Sequence, residues 1–553
     1  NVALRNKHLS PDDLNAAVQL TIDRVVFLRM AEDRGLEPYG QLLKLCERPD
    51  MYTRFIHDVC RRADQKYNAG LFHFEEESGV SEDPDRITPT LAVDDKALKP
   101  ILQGLYFEHG SPYHFGVMPV EILGTVYERF LGRVIRLTAG HQARVEEKPE
   151  VRKAGGVYYT PGYIVDYIVR QTVGRQIDGR SPAQLAGGKN KPPFRVLDMA
   201  CGSGSFLLGA YQCLLDHCLK WYTEHSPEKH KAAVWNGNRR NPDQPQWRLT
   251  VGEKKRILST HIFGVDIDAQ AVEVTKLSLL LKVLEGENDE SLSKQQQREL
   301  FEDRALPNLA DNIKCGNSLI GPDYFTRGLI PDPDEMKRVN AFDWNRGFPD
   351  AMKAGGFDCI IGNPPYARIQ TMKQWAPLEA EIYKELFRAA SAANYDIYVL
   401  FIEQGLNLLS PRGQLGFICP HKFFNAKYGR PLREIIATGR HLSQVVHFAD
   451  QQVFAGATTY TCLLFLDKAG AAECSFRLAD DLEKWKGAQL ARDADIPVRF
   501  ITGGPWDFQP ANRVRLFRKL RRMPVKLGDI ADRIAQGIRT SANEVYVLDV
   551  VSE

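Results

Sequence analysis

Val196-Leu197-Asp198-Met199-Ala200-Cys201-Gly202-Ser203-Gly204-Ser205-Phe206 reads as an apolar strand, an acid, a glycine-flanked turn and the start of a helix. Glycines at such a turn let the backbone come close to a ligand at the carboxyl edge of a sheet, although an ordinary tight turn has the same composition. Outward from this segment, short apolar runs ending in Gly or Asp alternate with helical stretches: 194–199, then 205–222, 261–265 and 269–284. Further strands are expected at 357–361, 414–419, 442–448 and 461–467, with a helix over 395–409. This alternation predicts an α/β fold, a Rossmann-like open sheet of about seven mainly parallel strands.

The ligand class can be narrowed from the same stretch. A dinucleotide fold asks for a third glycine, but position 207 is Leu, and no strand ending in an acid follows about 20 residues later. A nucleoside without phosphates fits better. The next strand ends in Gly264-Val265-Asp266-Ile267-Asp268. There a carboxylate at the strand tip can accept from both ribose hydroxyls, and Ile267 can pack on an adenine face. A helix N-cap is the other reading of Asp266.

The chain has 553 residues, too many for one core, and several domains are expected. Apolar residues make up 43% and charged residues 26%, and no run of about 18 apolar residues could span a bilayer. The ten cysteines include no Cys-x-x-Cys pair, so reduced thiols, a cytoplasmic location and no metal site are expected. The net charge of +2 means that affinity for nucleic acid must come from local basic patches. The first residue is Asn1, no signal peptide follows, and the end falls within an apolar-polar alternation, as in a piece of something longer.

The domain boundaries expected from these shifts are 1–145, helical; 146–475, the α/β part; and 476–553, a linker and the beginning of a further domain. Helical spacing is read over 14–36 and 119–137, and 70–91 is acidic and loop-like. Residues 224–255 form a polar insertion expected on the surface.

Gly155-Gly156-Val157-Tyr158-Tyr159-Thr160-Pro161, the Asp198 to Gly204 run, Asp266, Cys315-Gly316-Asn317-Ser318-Leu319 and Asn363-Pro364-Pro365-Tyr366 occur in that order. Together they resemble the gamma-class adenine-N6 DNA methyltransferases, over about residues 150 to 470, in the form found in fused type IIG restriction-modification enzymes. The resemblance implies S-adenosylmethionine as cofactor and duplex DNA as partner. It implies that Tyr159, Thr160 and Pro161 lie at the methionine end, and that Asp198, Ala200, Gly202, Ser203, Gly204 and Phe206 line the cofactor. Asp266 and Ile267 would hold the adenosine, with Asn317 and Ser318 near its amino group; the family often has Asp where Asn317 stands. A departure is the long gap between Gly204 and Asp266, which the 224–255 insertion fills.

Asn363-Pro364-Pro365-Tyr366 follows a strand and so sits at the same sheet edge as the glycine loop. The adenine amino nitrogen is a poor nucleophile because its lone pair is delocalised into the ring. Two acceptors aimed at its N–H groups, the Asn363 side-chain oxygen and the Pro364 carbonyl, would restore that density, and the prolines fix the backbone. Tyr366 offers a stacking face. An adenine inside a duplex must be flipped out to reach this pocket. By resemblance the loop 421–429 supplies a second aromatic, Tyr428 in preference to Phe424; a core ring is the other reading of either.

Residues 14–36, with Arg24, Phe27, Leu28, Arg29 and Glu32 in an amphipathic pattern, resemble the helical region that joins nuclease and methyltransferase in fused enzymes. No nuclease motif falls in the first 140 residues, so a nuclease would lie upstream of Asn1. Residues 530–541 resemble the opening of a target-recognition domain, preceded by six basic residues within 513–522. A free-standing modification enzyme, or one that methylates protein glutamine or RNA amino groups, is the alternative.

Overall fold

The computed structural model describes residues 1–67, 70–76, 84–111, 114–119, 133–138, 140–147, 160–189, 191–238, 245–287, 306–326, 332–392, 394–454, 460–488, 492–506 and a few isolated residues beyond. The chain divides into two compact units, Asn1–Trp506 and Asp507–Glu553. In the second, most of 513–522 and of 530–541 lies outside the described residues.

The apolar runs of the first unit become one sheet. Its strands are β1 (Val196–Asp198), β2 (Ile262–Asp266), β3 (Ile313–Cys315), β4 (Phe357–Gly362), β5 (Leu409–Pro420), β6 (Leu442–His447), β7 (Thr461–Asp467), β8 (Glu473–Leu478) and β9 (Arg492–Pro497). They lie in the order β9-β8-β6-β7-β5-β4-β1-β2-β3. Strands β3, β2, β1, β4 and β5 are mutually parallel, and β7 runs antiparallel between β5 and β6. The order reverses at β1, so a crevice opens at its carboxyl end, between β1 and its two neighbours, where open α/β sheets bind ligands. Two strands beyond the seven expected, β8 and β9, extend the edge, and β3 is short enough to escape a reading by apolar runs.

Helices α1 (Pro11–Asp33), α2 (Gly162–Val169), α3 (Ser205–Glu224), α4 (Val251–His261), α5 (Ala269–Val283), α6 (Tyr398–Leu408) and α7 (Arg430–Thr438) include those wound around this sheet. α3 begins directly at the glycine loop. Leu207 on its first turn packs onto β2 at Gly264, where an added Cβ would lie 2.7 Å from Leu207 Cδ1. The small residue that allows helix and strand to approach is therefore on the strand, and the helix keeps its leucine.

Among the described residues no helix is long and apolar enough to cross a membrane, and all ten cysteines are free.

Two expectations for the N-terminal part are corrected. Residues 133–137, expected to be helical, form a strand Arg133–Leu137 paired antiparallel with Ala143–Glu147. The β-branched Val134, Ile135 and Val145 favour a ribbon over a helix, and Asn15 of α1 pins it through two bonds of 2.9 Å to the Ile135 backbone. α1 itself forms as expected, capped by Ser10, whose hydroxyl accepts from Asp13 N–H at 3.1 Å, with Pro11 at the first position. It is not simply amphipathic, however, because Arg24, Arg29 and Glu32 are buried. Glu32 takes the N–H groups of Gly40 and Leu42 and the Tyr106 hydroxyl, and Arg29 pairs with Asp33 and lies over the Tyr106 ring. The polar insertion carries a small hairpin, Val234–Asn236 against Trp247–Leu249, before α4.

Candidate active site at the carboxyl edge of the sheet

The site assembles from the tips of β1, β2 and β4. Asp198, the last residue of β1, is buried and accepts from Ala200 N–H at 3.0 Å. Burial, with the Asp266 carboxylate as a lesser neighbour, pushes its pKa up to about 8. Gly362, the last residue of β4, lies so close that an added Cβ would be 2.7 Å from Asp198 Oδ1. Only glycine lets β4 deliver Asn363 beside this carboxyl group.

Gly202 has φ +53°, and the space its Cβ would enter is open, as a loop that cradles a ligand requires. The loop is held from β2 and α5. Gly202 N–H donates to Asp266 Oδ2 at 2.8 Å, and Thr275 Oγ1 donates to the Gly202 carbonyl at 2.8 Å. Asp266 also takes Asp268 N–H at 2.9 Å, while the cap of α5 is Asp268, accepting from Gln270 N–H at 3.0 Å. Asp266 thus ties the glycine loop to β2. Beside it Ile267 is 56% exposed, an apolar face left open at the strand tip. Cys315, on β3 opposite Asp266, completes this edge.

The other expected cofactor residues divide. Ser203, Phe206, Asn317 and Ser318 are buried, and Ala200 is half-buried. Ser318 Oγ donates to the Met199 carbonyl at 2.6 Å, and Asn317 Oδ1 accepts from Leu319 N–H at 3.0 Å. Both side chains therefore shape the wall behind β1. Tyr159 lies outside the described residues, whereas Thr160 is buried and Pro161 precedes α2.

The Asn363 side chain is fixed at both ends. Asn363 Nδ2 donates to Thr160 Oγ1 at 3.1 Å, and Asn363 Oδ1 accepts from the Tyr366 hydroxyl at 2.6 Å. Two motifs 203 residues apart are joined in one chain of bonds. Among the described residues no backbone N–H outside helices and strands donates to the Pro364 carbonyl. Pro364 is buried and Pro365 exposed. The Tyr366 hydroxyl, its one proton given to Asn363, also lies 3.2 Å from the Ile418 carbonyl, and its ring stands edge-on to Tyr398 and Phe454. Phe424 is core, packed on Phe423 and Trp506, while Tyr428 is half-buried on the following turn. Sequence reasoning did not single out Thr275, Asp396 or Tyr398. The pattern Tyr395-Asp396-Ile397-Tyr398 before an apolar helix was the available signal.

A pH prediction follows for Asp198. Its folded pKa near 8 exceeds the unfolded carboxyl value, so its stabilising contribution is present below about pH 4 and is lost as pH rises through 8. In Asp198→Asn, denaturant titrations of the ligand-free protein should show a shallower loss of stability from pH 4 to 8. An identical slope in the two proteins would mean that this carboxyl is not the buried acid described.

Two protein families match the chain. Residues 260–454 match the Eco57I restriction-modification methylases, and residues 120–314 the N-6 DNA methylases. The type II restriction enzyme and methyltransferase RM.Eco57I of Escherichia coli is 32% identical over 553 residues, 99% of this chain and 50% of that protein. The type II methyltransferase M.PaeR7I of Pseudomonas aeruginosa is 30% identical over 216 residues, 36% of each chain. Among solved structures, the type IIL restriction-modification enzyme MmeI in complex with DNA aligns with TM-score 0.51 at 15% identity, over 86% of this chain and 57% of that one. That likeness speaks for the fold. The chain spans half the length of the full-length match from Escherichia coli.

Proposed function

We propose that this chain, which matches the N-6 DNA methylases and the Eco57I restriction-modification methylases, methylates N6 of adenine in duplex DNA. The donor is S-adenosylmethionine, and the target base is flipped out of the helix. In this reading the chain is the modification part of a cytoplasmic restriction-modification or phage-defence enzyme, with any nuclease outside it. The observation that carries the reading is Asn363, held between Thr160 and Tyr366 beside the cofactor edge.

The glycine loop, Asp266 and Ile267 suit an adenosine: an open cradle, a carboxylate at the strand tip and an exposed apolar face. S-adenosylmethionine supplies a methyl group on a positively charged sulfur. The residues of this chain do the rest. Asn363 Oδ1, held in place by the Tyr366 hydroxyl, uses its second lone pair on one amino N–H, and the Pro364 carbonyl takes the other. The nitrogen lone pair is then turned out of the ring toward the donor. Positioning and electrostatics carry the rate, because no further nucleophile is required.

The test is sequencing of modified bases in DNA from cells carrying the intact gene or its Asn363→Ala form. N6-methyladenine at one defined site, absent with the variant, is expected. Methyl groups found instead on protein glutamine or RNA would overturn the reading. Asp266→Ala should weaken S-adenosylmethionine binding by about 1.5 to 3 kcal/mol, the range for hydrogen bonds to charged groups. Calorimetry showing unchanged affinity would leave Asp266 as a brace of the Gly202 loop alone.

A further inference from the structure

Resting on the reading of Tyr366 and Tyr428 as the two walls of the adenine pocket, the geometry points to a positioning device that couples them. We propose that Tyr398 and Asp396 hold the Tyr428 ring in its stacking orientation through its hydroxyl, so that one hydrogen-bonded unit sets both walls.

The Tyr428 hydroxyl lies 3.3 Å from Asp396 Oδ2 and 3.1 Å from the Tyr398 hydroxyl. A phenol has one proton. With the Tyr428 proton given to the carboxylate, Tyr398 must donate to the Tyr428 oxygen, which orders a chain from Tyr398 through Tyr428 to Asp396. Tyr398 is fully buried at the start of α6 and cannot swing, and its ring stands edge-on to Tyr366 at 6.2 Å. One rigid side chain therefore touches the Asn-Pro-Pro-Tyr wall with its ring and the opposite wall with its hydroxyl.

The backbone makes the same connection. Ile397 N–H donates to the Ala367 carbonyl at 2.8 Å, and Ile369 N–H to the Tyr395 carbonyl at 3.0 Å. The loop that carries Asn363 is thus bonded to the segment that carries Asp396 and Tyr398. Burial raises the Asp396 pKa, and the charges of Lys422 and Arg368 oppose that rise. Tyr428 sits on a short turn between Lys427 and Gly429, where nothing in the local backbone would fix its ring. A free ring loses rotamer entropy when a base stacks on it; a ring held by its hydroxyl has lost it beforehand.

The experiment uses the full-length protein, S-adenosylmethionine and a duplex carrying the site found by modified-base sequencing. Tyr398→Phe, Tyr428→Phe and the double variant are compared in single-turnover methylation, with 2-aminopurine at the target position as a second readout. Each single variant should lose about tenfold in rate, the worth of one hydrogen bond, with cofactor affinity unchanged. The double variant should lose no more than the worse single, and 2-aminopurine fluorescence should change alike in all three. Asp396→Asn should resemble Tyr428→Phe, and Tyr428→Ala should be slower still because the face itself is gone. Tyrosine variants with normal rates and normal 2-aminopurine signals, or losses that multiply in the double variant, would overturn the coupling while leaving adenine methylation in place. An unsubstituted protein that methylates no adenine would overturn the functional reading and this inference together.

Discussion

Asn363→Ala is expected to lower methyl transfer by about 10^2 to 10^3-fold, the loss seen when one preorganised hydrogen-bonding group is removed from a reacting centre. Cofactor affinity should stay nearly constant, because the side chain bonds Thr160 and Tyr366, whereas the glycine loop proposed for the donor is held separately by Asp266 and Thr275. Asn363→Asp makes the test sharper. It keeps an acceptor oxygen for the Tyr366 hydroxyl and the amine, and the Thr160 hydroxyl can turn to donate to its other oxygen, so it should retain more activity than Ala. Labelled-methyl transfer to unmodified DNA and calorimetry with S-adenosylmethionine give the two numbers. An Ala variant with near-normal transfer would remove Asn363 from the mechanism. One whose cofactor affinity fell as far as its rate would place the residue at the donor and not the acceptor.

The sheet was legible because a strand buried on both faces has to be a continuous apolar run, and 357–361 or 461–467 are unmistakable as such. Where an element is short or its residues mixed, that signal fails. Ile313-Lys314-Cys315 offers too little apolar length to mark β3, and β9, with Arg492, Asp493 and Asp495, reads as loop until it is seen paired with β8. In the site, glycines and the Asn-Pro-Pro-Tyr turn could be placed at one edge from spacing alone. What spacing could not give was partnership across long separations. The bond from Asn363 to Thr160, the clamp of Thr275 on Gly202, and the approach of Tyr398 to both Tyr366 and Tyr428 exist only once the sheet has been closed by α2, α5 and α6. The preference for Tyr428 over Phe424 rested on resemblance, and the geometry adds a reason: Phe424 is enclosed by Phe423 and Trp506, whereas Tyr428 is half-buried.

Arg24 is where the N-terminal helical part should be most vulnerable. Its guanidinium is inaccessible to solvent, donates to the Leu71 carbonyl at 2.7 Å and the Thr88 hydroxyl at 2.6 Å, and pairs with Asp85 at 2.8 Å. Asp85 in turn caps the short turn at 88–90, taking the N–H groups of Ile87 and Thr88. Arg24→Ala strands a nearly buried carboxylate and a carbonyl at once and empties the space beneath Phe74, over which the guanidinium lies. Breaking a buried pair from one side costs about 3 to 5 kcal/mol, far more than the pair contributes when intact, because the remaining charge has no water to replace its partner. Arg5, paired with Asp94 at 2.9 Å on the surface, is the control: water takes over there, and Arg5→Ala should leave the denaturation midpoint where it was. Arg24→Met with Asp85→Asn removes both charges while keeping volume, and should recover much of what Arg24→Ala loses. Urea titrations of the four proteins decide between the outcomes. Similar midpoints for Arg24→Ala and Arg5→Ala would mean that the Asp85 turn opens to water without cost.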